Sequence, residues 1–391
     1  MLLFAMFGCV SRVSADVVIR SLGTLSFGTS SRGYAINDAG TTTGEGQTFF
    51  GSSRAFRNDG GSLLVDLGTL PGGFSSRGLA INGAGLVTGS SQVMTTSGGV
   101  RTHAFRTTPT GGMIDLGTLP GGAFSEGRAI SRAGDVAGVS SNAQGVLRAV
   151  RWVGNNTAED LGSFRPGGSS EAFGMNQAGK IVGRAETSTG MNHAFLYTPG
   201  KGASGSATFQ DLGTLTTGGS SVAMSVNDGD HVAGYATASG GFTHAFLWTA
   251  AGGMIDLHNP GIVGSSFALG VNAADVVVGR IDLLGGISRA FIWTVSTGML
   301  DLNSLLAPDS GWYLTSATGI NSNGEIVGYG TYKGQLRGYV LASGFGGGGA
   351  SPLITPEPTS LVLFGLGAVG LFLSLKRRNG IAKPGSAPQT S

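Results

Sequence analysis

The sequence predicts an all-β fold: a seven-bladed β-propeller of four-stranded blades, closed by the N-terminal strand and followed by a C-terminal transmembrane helix. Three observations lead to the ring. One unit recurs seven times at nearly constant length, each unit carries four short apolar runs, and no stretch of the body keeps an apolar period of 3.6.

The unit is plainest in "DLGTLPGGFSSRGLAINGAG", which begins at Asp66, and "DLGTLPGGAFSEGRAISRAG", which begins at Asp115. Further copies start at Asp160, Asp211, Asp256 and Asp301, and an upstream one, "SLGTLSFGT", at Ser21. The successive intervals are 45, 49, 45, 51, 45 and 45 residues. A fixed period of this size is the mark of a repeat architecture.

Within a unit the first run is Leu-Gly-Thr-Leu. A small-residue run follows and ends in a turn, as in "YAINDAG" (34–40), "LAINGAG" (79–85) and "ATGINSNG" (317–324). The third run comes at once, as in "LVTGS" (86–90) and "EIVGY" (325–329). The fourth reads "RAFR" (54–57), "HAFR" (103–106), "HAFLY" (193–197), "HAFLW" (244–248) or "RAFIW" (289–293). Runs of four to six residues rich in Val, Ile and aromatics, bounded by Gly, Asn and Ser, are strands. The Asn-x-x-Gly step between the second and third suits a tight hairpin. Four antiparallel strands per unit, seven times over, close into a propeller, which leaves no long free edge. An open β-solenoid is the other reading. The small side chains of Ala35-Ile36 and Ala80-Ile81 suit the crowded centre, which puts Leu-Gly-Thr-Leu outermost and Pro-Gly-Gly-x-Ser-Ser at the crossover between blades. The last unit lacks an outer strand after "RGYVL" (337–341), and residues 18–25 are expected to supply it.

Composition narrows the function classes. The chain of 391 residues is 40% hydrophobic, enough for a sizeable core. Its 72 Gly and 12 Pro fall below the level of aperiodic disorder, so the glycines must serve turns and close backbone approaches. With 12% charged residues and a net charge of +2, nothing favours nucleic acid. The single cysteine, Cys9, excludes an intrachain disulfide or a cysteine metal cluster.

Both ends read as targeting segments. "MLLFAMFGCVSRVSA" (1–15) is an apolar run ending in a small-residue cleavage site, with cleavage after Ala15, though no Lys or Arg precedes it. A buried strand is the alternative. At the other end, "TSLVLFGLGAVGLFLSL" (359–375) runs into Lys376, Arg377 and Arg378, a short membrane span with its basic side in the cytoplasm. "GLGAVG" inside it matches a dinucleotide fingerprint without the strand that must precede one.

Pro356, Glu357 and Pro358 stand just before this span, after the Gly-rich linker 343–355. Together the three elements resemble the PEP-CTERM sorting signal, here over 356–378, with 379–391 as a short cytoplasmic tail. The resemblance implies an exosortase as processing partner and transient anchoring in the inner membrane. It also implies export to the surface of a Gram-negative, exopolysaccharide-producing host. A plain single-span anchor is the alternative. The body, 17–342, resembles the HAF repeat, whose His-Ala-Phe run stands here at 103–105, 193–195 and 244–246. That family is extracellular and implies no catalytic activity. Units five and six depart from it, with "DLHNP" and "DLNSL" at their seams.

No residue is singled out as catalytic, cofactor-binding or metal-ligating. The Asp that opens each unit (66, 115, 160, 211, 256, 301) recurs six times, whereas catalysis needs one asymmetric constellation, so a turn role fits it. His103, His193 and His244 occupy a position held elsewhere by Arg54, Arg148, Arg289 and Arg337, which asks for a long polar group rather than a metal. "NDGDH" (227–231) and "NSNGE" (321–325) look like calcium-loop fragments but sit in the hairpin turn. The expectation is a non-catalytic exported surface or matrix protein that binds exopolysaccharide, other glycan or surface proteins. The alternative is a propeller glycosidase or lyase acting on extracellular polysaccharide.

Overall fold

A computed structural model describes residues 17–61, 63–154, 157–200 and 206–342. The signal segment with Ala15, the linker from 343, the sorting signal with its helix, and the tail lie outside the described residues. No helix among the described residues is long and apolar enough to cross a membrane.

Seven four-stranded antiparallel sheets form the ring, in chain order. The first blade holds, from inside to outside, Ser31–Ile36, Thr42–Gln47, Ser53–Asn58 and Val65–Asp66. Five further blades repeat this within consecutive sequence. The seventh holds Trp312–Ile320, Ile326–Tyr332 and Gln335–Ala342, and its outer strand is Val18–Gly23 from the N-terminus. Val18 pairs with Ala342, Arg20 with Val340 and Gly23 with Gly338, so first and last strands clasp the ring as the strand count requires.

Each residue type in the unit has a packing reason. The third-strand aromatic is fully buried in six blades, as Phe56, Phe105, Phe195, Phe246, Phe291 and Tyr339, with Val150 in the third blade. Burying one such side chain stabilises by roughly 1.5–3 kcal/mol. Its ring lies against the second-strand glycine. A Cβ on Gly183 would stand 2.7 Å from the Phe195 ring and 1.9 Å from the Glu171 carbonyl oxygen, so no side chain fits. One glycine per blade serves this close approach, whereas many others hold turns at positive φ.

The hairpin between inner and second strands uses asparagine as a backbone clamp. Asn37 Oδ1 accepts from the N–H groups of Ala39 and Thr41, and Gly40 takes the left-handed position at φ 76°. In the fifth and sixth blades Asp230 and Asp275 hold that left-handed position instead.

The strand phase differs from the sequence expectation. Most outer strands end at the recurring Asp, as in Thr157–Asp160, Thr208–Asp211 and Gly253–Asp256. Leu-Gly-Thr-Leu mainly forms the seam beyond them. Its leucines are wedged between blades, with Leu22, Leu70 and Leu116 at most 2% exposed. A serine at the start of each of the first five inner strands locks the seam. Ser76 Oγ donates to the Gly68 carbonyl at 2.5 Å and accepts from the Ala55 N–H at 2.9 Å. Ser31, Ser125, Ser170 and Ser221 do the same. The seams of units five and six are built differently, as their sequence suggests. Ser266 meets His258 Nδ1 at 2.8 Å, and Asn303 bonds both backbone groups of Leu314.

Strand alternation defines two faces. The seams and the hairpins between second and third strands share one, termed here the crossover face. The asparagine turns lie on the other, and the third strand of the last blade delivers Ala342 to that asparagine face.

Candidate binding face

Every inner strand carries a β-bulge at the same place. In the first blade Gly33 pairs with Gly44 and Ala35 with Thr43, which leaves Tyr34 as the extra residue. Its equivalents are Leu79, Arg128, Phe173, Met224, Leu269 and Thr318. A bulge re-aims a side chain. All seven residues line the central cavity, of about 650 Å³. The flanking residues hardly vary, since packing fixes them, but the bulged residue differs from blade to blade. The ring thus presents an asymmetric set of side chains from seven near-identical backbones.

Charged groups surround this ring toward the crossover face. Arg128 bridges Glu126 and Glu171, at 2.8 Å to each, and Arg184 Nε reaches the other oxygen of Glu171 at 3.0 Å. Arg32 holds Glu45 at 2.7 Å, and Tyr34 donates to the same carboxylate oxygen at 2.8 Å. Arg128 lies over the Phe173 ring at 4.6 Å and Arg280 over Phe267 at 5.0 Å. Burial opposes the charge of Glu171, but the hydrogen bonds from Arg184 and Arg128 outweigh it and hold its carboxyl below the usual range. Burial, and then Glu45, push the Tyr34 phenol far above its ordinary value, so it remains a donor.

The recurring acids belong to the frame. Asp115 Oδ1 accepts from the Gly117 N–H at 2.8 Å, the turn role expected of it. It also pairs with His103 at 2.9 Å, as Asp160 does with Arg148, Asp211 with His193, Asp256 with His244 and Asp301 with Arg289. The position that accepts His or Arg is thus the partner of the seam aspartate, a pairing the spacing alone does not disclose. "NDGDH" and "NSNGE" form hairpin turns. Asp230 bonds Lys180 at 2.5 Å, and His231 bonds Asp275 at 2.7 Å. Among the described residues no three His, Cys, Asp or Glu side chains group as metal ligands.

Sequence reasoning missed the bulge ring. Its signal was present: aligned on Asn37, Asn82, Ser131 and their equivalents, the third residue upstream reads Tyr, Leu, Arg, Phe, Met, Leu, Thr. Two-fold alternation assigns that residue to a regular strand, and only the bulge turns it into the channel.

The family model of the PEP-CTERM protein-sorting motif matches residues 355–378, which include Pro356, Glu357, Pro358, Lys376, Arg377 and Arg378. The chain is thus a β-propeller carrying an exosortase-type sorting motif, which implies export with transient membrane anchoring and processing by an exosortase. No curated protein sequence matches the chain. Among solved structures it is similar to a streptogramin B lyase, at 12% identity and TM-score 0.46, over 83% of this chain and 98% of that one. A puromycin hydrolase shows 12% identity and TM-score 0.47, over 76% and 50%. The BP39L lectin of Burkholderia pseudomallei shows 10% identity and TM-score 0.45, over 85% and 97%. Likeness at this level says nothing of ligand or activity.

Proposed function

We propose that this protein is a non-catalytic, exported surface or matrix component, built of HAF-type repeats, whose propeller binds glycan or protein at its central channel. One observation carries the reading: seven equivalent bulged residues, from Tyr34 to Thr318, line one cavity and differ from blade to blade. Variation confined to a position that faces the channel is expected of recognition and not of packing. The reading includes a Gram-negative, exopolysaccharide-making host, which the resemblance of the sorting signal supports.

The enzymatic alternative draws on Glu126 and Glu171, which share the Arg128 guanidinium. Glycoside cleavage needs one carboxyl protonated near neutral pH. Glu171 is held ionised by two arginines, which suits it to a base or nucleophile role and not to proton donation.

The test is binding of purified 17–342 to the host's exopolysaccharide and surface proteins by surface plasmon resonance, with Phe173→Ser and Met224→Ser variants. Specific binding weakened by those variants is expected. Release of reducing ends or unsaturated products from the polymer would overturn the non-catalytic reading. For sorting, intact mass of the exported protein is expected to lack Thr359 to Ser391. A species that keeps Lys376, Arg377 and Arg378 would make the segment a simple anchor.

A further inference from the structure

The first blade departs from its sisters at a place apart from the channel. A second cavity, of about 170 Å³, lies in the cleft between the seventh and first blades on the crossover face. Ser30, Ser31, Arg32, Glu45, Gln47 and Ser53 line it, with Leu336 from the seventh blade. Nearly every lining side chain is polar. The paired charges cancel, since Arg32 is bound to Glu45 at 2.7 Å.

Part of this polar set is unspent. Both Arg32 and Tyr34 bond Oε1 of Glu45, and among the described residues Oε2 has no partner. Ser53 Oγ makes no hydrogen bond among the described residues, and Gln47 Nε2 reaches only the Gly51 carbonyl, at 3.5 Å. Thr29 Oγ1 donates to Gln47 Oε1 at 2.5 Å and so fixes the amide with its nitrogen free to donate. The pocket thus offers an anionic acceptor, an amide donor and a hydroxyl at held positions.

Exposed aromatics flank it. The hairpin that carries Gln47 and Ser53 has Phe49 and Phe50 at its tip, 72% and 91% exposed, edge to face at 5.3 Å. Phe27 stands in the adjoining seam, 85% exposed and in the left-handed region at φ 59°. Its counterparts in the next two seams are Gly72 and Gly121, both at positive φ. A bulky residue strained into a glycine position and left in water is unfavourable for the fold twice over. The hairpins of the second, third and fourth blades carry no aromatic at 95–98, 142–145 and 187–190, and the sixth exposes only the aliphatic Leu284 and Ile287.

We propose that this cleft binds one neutral hexopyranose unit of a glycan, its hydroxyls met by Glu45, Gln47 and Ser53, with the phenylalanines beside the cleft stacking on the units that follow. The proposal rests on the reading of the protein as a glycan-binding module but places this contact outside the channel. An anionic sugar is disfavoured because the free oxygen in the pocket is a carboxylate and the one lining cation is already paired. A membrane surface is disfavoured because residues 26–30 and 47–53 carry no Lys or Arg to meet anionic headgroups. The cavity has room for a single sugar ring, with the phenylalanines outside it for the units that follow.

The experiment is saturation-transfer difference NMR on 17–342 with the methyl glycosides of glucose, galactose and mannose, followed by titration with dextran, galactan and mannan. Polygalacturonate serves as the charged counterpart. Binding of at least one neutral series is expected, weakened tenfold or more in Ser53→Ala and Phe50→Ser, with thermal midpoints unchanged because both residues lie at a hairpin. Phe173→Ser, in the channel, separates the two readings. Glycan binding lost in Phe173→Ser but intact in Ser53→Ala and Phe50→Ser would overturn the cleft site and leave the proposed function standing. Preference for polygalacturonate, or no neutral sugar bound, would overturn the cleft proposal. Concentration-dependent self-association abolished by Phe50→Ser, without sugar binding, would overturn it in favour of a second copy.

Discussion

Asn321 and Asn37 lie 284 residues apart, and the Asn321 side-chain amide donates to the Asn37 carbonyl oxygen at 3.0 Å. The same bond runs round the asparagine face. Asn37 donates to Asn82 and Asn82 to Ser131, at 2.9 Å each, and Asn176, Asn227 and Asn272 each donate to the next blade, at 2.9–3.2 Å. Each asparagine therefore serves twice: its oxygen closes its own hairpin while its nitrogen ties that hairpin to the neighbour. The belt fails at one place, where Ser131 stands in the third blade and has no amide to offer toward Asn176.

That gap gives the first prediction. Ser131→Asn supplies the missing donor, and its Oδ1 takes over the hydrogen bond that Ser131 Oγ accepts from the Asp135 N–H. A net hydrogen bond is worth about 1 kcal/mol, and an orphaned buried group costs about 1–3 kcal/mol. Ser131→Asn is expected to raise the unfolding free energy by about 1 kcal/mol, and Asn321→Ala to lower it by about 1–3 kcal/mol. Calorimetric melts check both. A Ser131→Asn protein that melts below the parent would show that the belt is not a stabilising circuit.

The second prediction concerns the clasp. Leu22 is fully buried on the N-terminal strand and packs with Val340, Val327 and Phe56 across the junction of the last and first blades. Leu22→Ala is expected to cost about 2–5 kcal/mol, as for a buried leucine in a tight core. Removing 17–25 altogether also strips the partner from Gln335–Ala342 and leaves an unpaired edge. Size-exclusion chromatography with light scattering should find the truncated protein associated. A monomer with an unshifted melt would mean that the ring does not depend on this strand.

How far the fold was legible follows from what each residue does. Blade number, strand number and the N-terminal clasp could be read because the repeat period and the strand count are properties of the chain alone. Strand phase differs by one step, because Leu70 and Leu257 look like an outer-strand face but lie beyond the outer strands, buried in the seams. Asn37 was read as a turn former, which is correct for its oxygen. Its nitrogen acts on Asn82 in another blade, a contact no local rule reaches. The candidate site was less legible than the frame. Phe27, Phe49 and Phe50 look like core aromatics in a linear reading, and only their exposure and the left-handed φ of Phe27 set them apart.

Phe27 gives a third prediction. The turn from Leu25 to Gly28 is closed by the Gly28 N–H on the Leu25 carbonyl at 2.8 Å, and it requires a positive φ at residue 27. Holding a side chain there costs about 1–2 kcal/mol. Glycine removes that strain but loses about 0.5–1 kcal/mol through the entropy of the unfolded chain. Phe27→Gly is therefore expected to leave stability unchanged or raise it by up to about 1 kcal/mol, while weakening sugar binding in the cleft. A melt lowered by several degrees would assign Phe27 to the core instead.

The last prediction is a pH dependence. In the seam of unit five His258 replaces the usual glycine, and its Nδ1 meets Ser266 Oγ at 2.8 Å while Nε2 meets the Ile262 carbonyl at 3.0 Å. This set fits a neutral ring that donates from Nε2 to the carbonyl and accepts at Nδ1. Burial lowers the His258 pKa from its ordinary 6.5, and His244, stacked on it at 4.0 Å, lowers it further, while the Ile262 bond opposes both. A histidine with a depressed folded-state pKa binds fewer protons folded than unfolded in the window below pH 6.5. Its contribution is therefore complete above pH 6.5 and declines as the pH falls through the folded-state value. His244 and Asp256, paired at 2.8 Å, face His258, so the difference between parent and variant reports His258 together with its coupling to them. His258→Asn keeps an acceptor for Ser266 and removes the titration. Unfolding free energies from urea melts between pH 7.5 and 5 are expected to fall more steeply for the parent than for His258→Asn. Parallel curves would mean that His258 carries its proton equally well in the folded and unfolded chain.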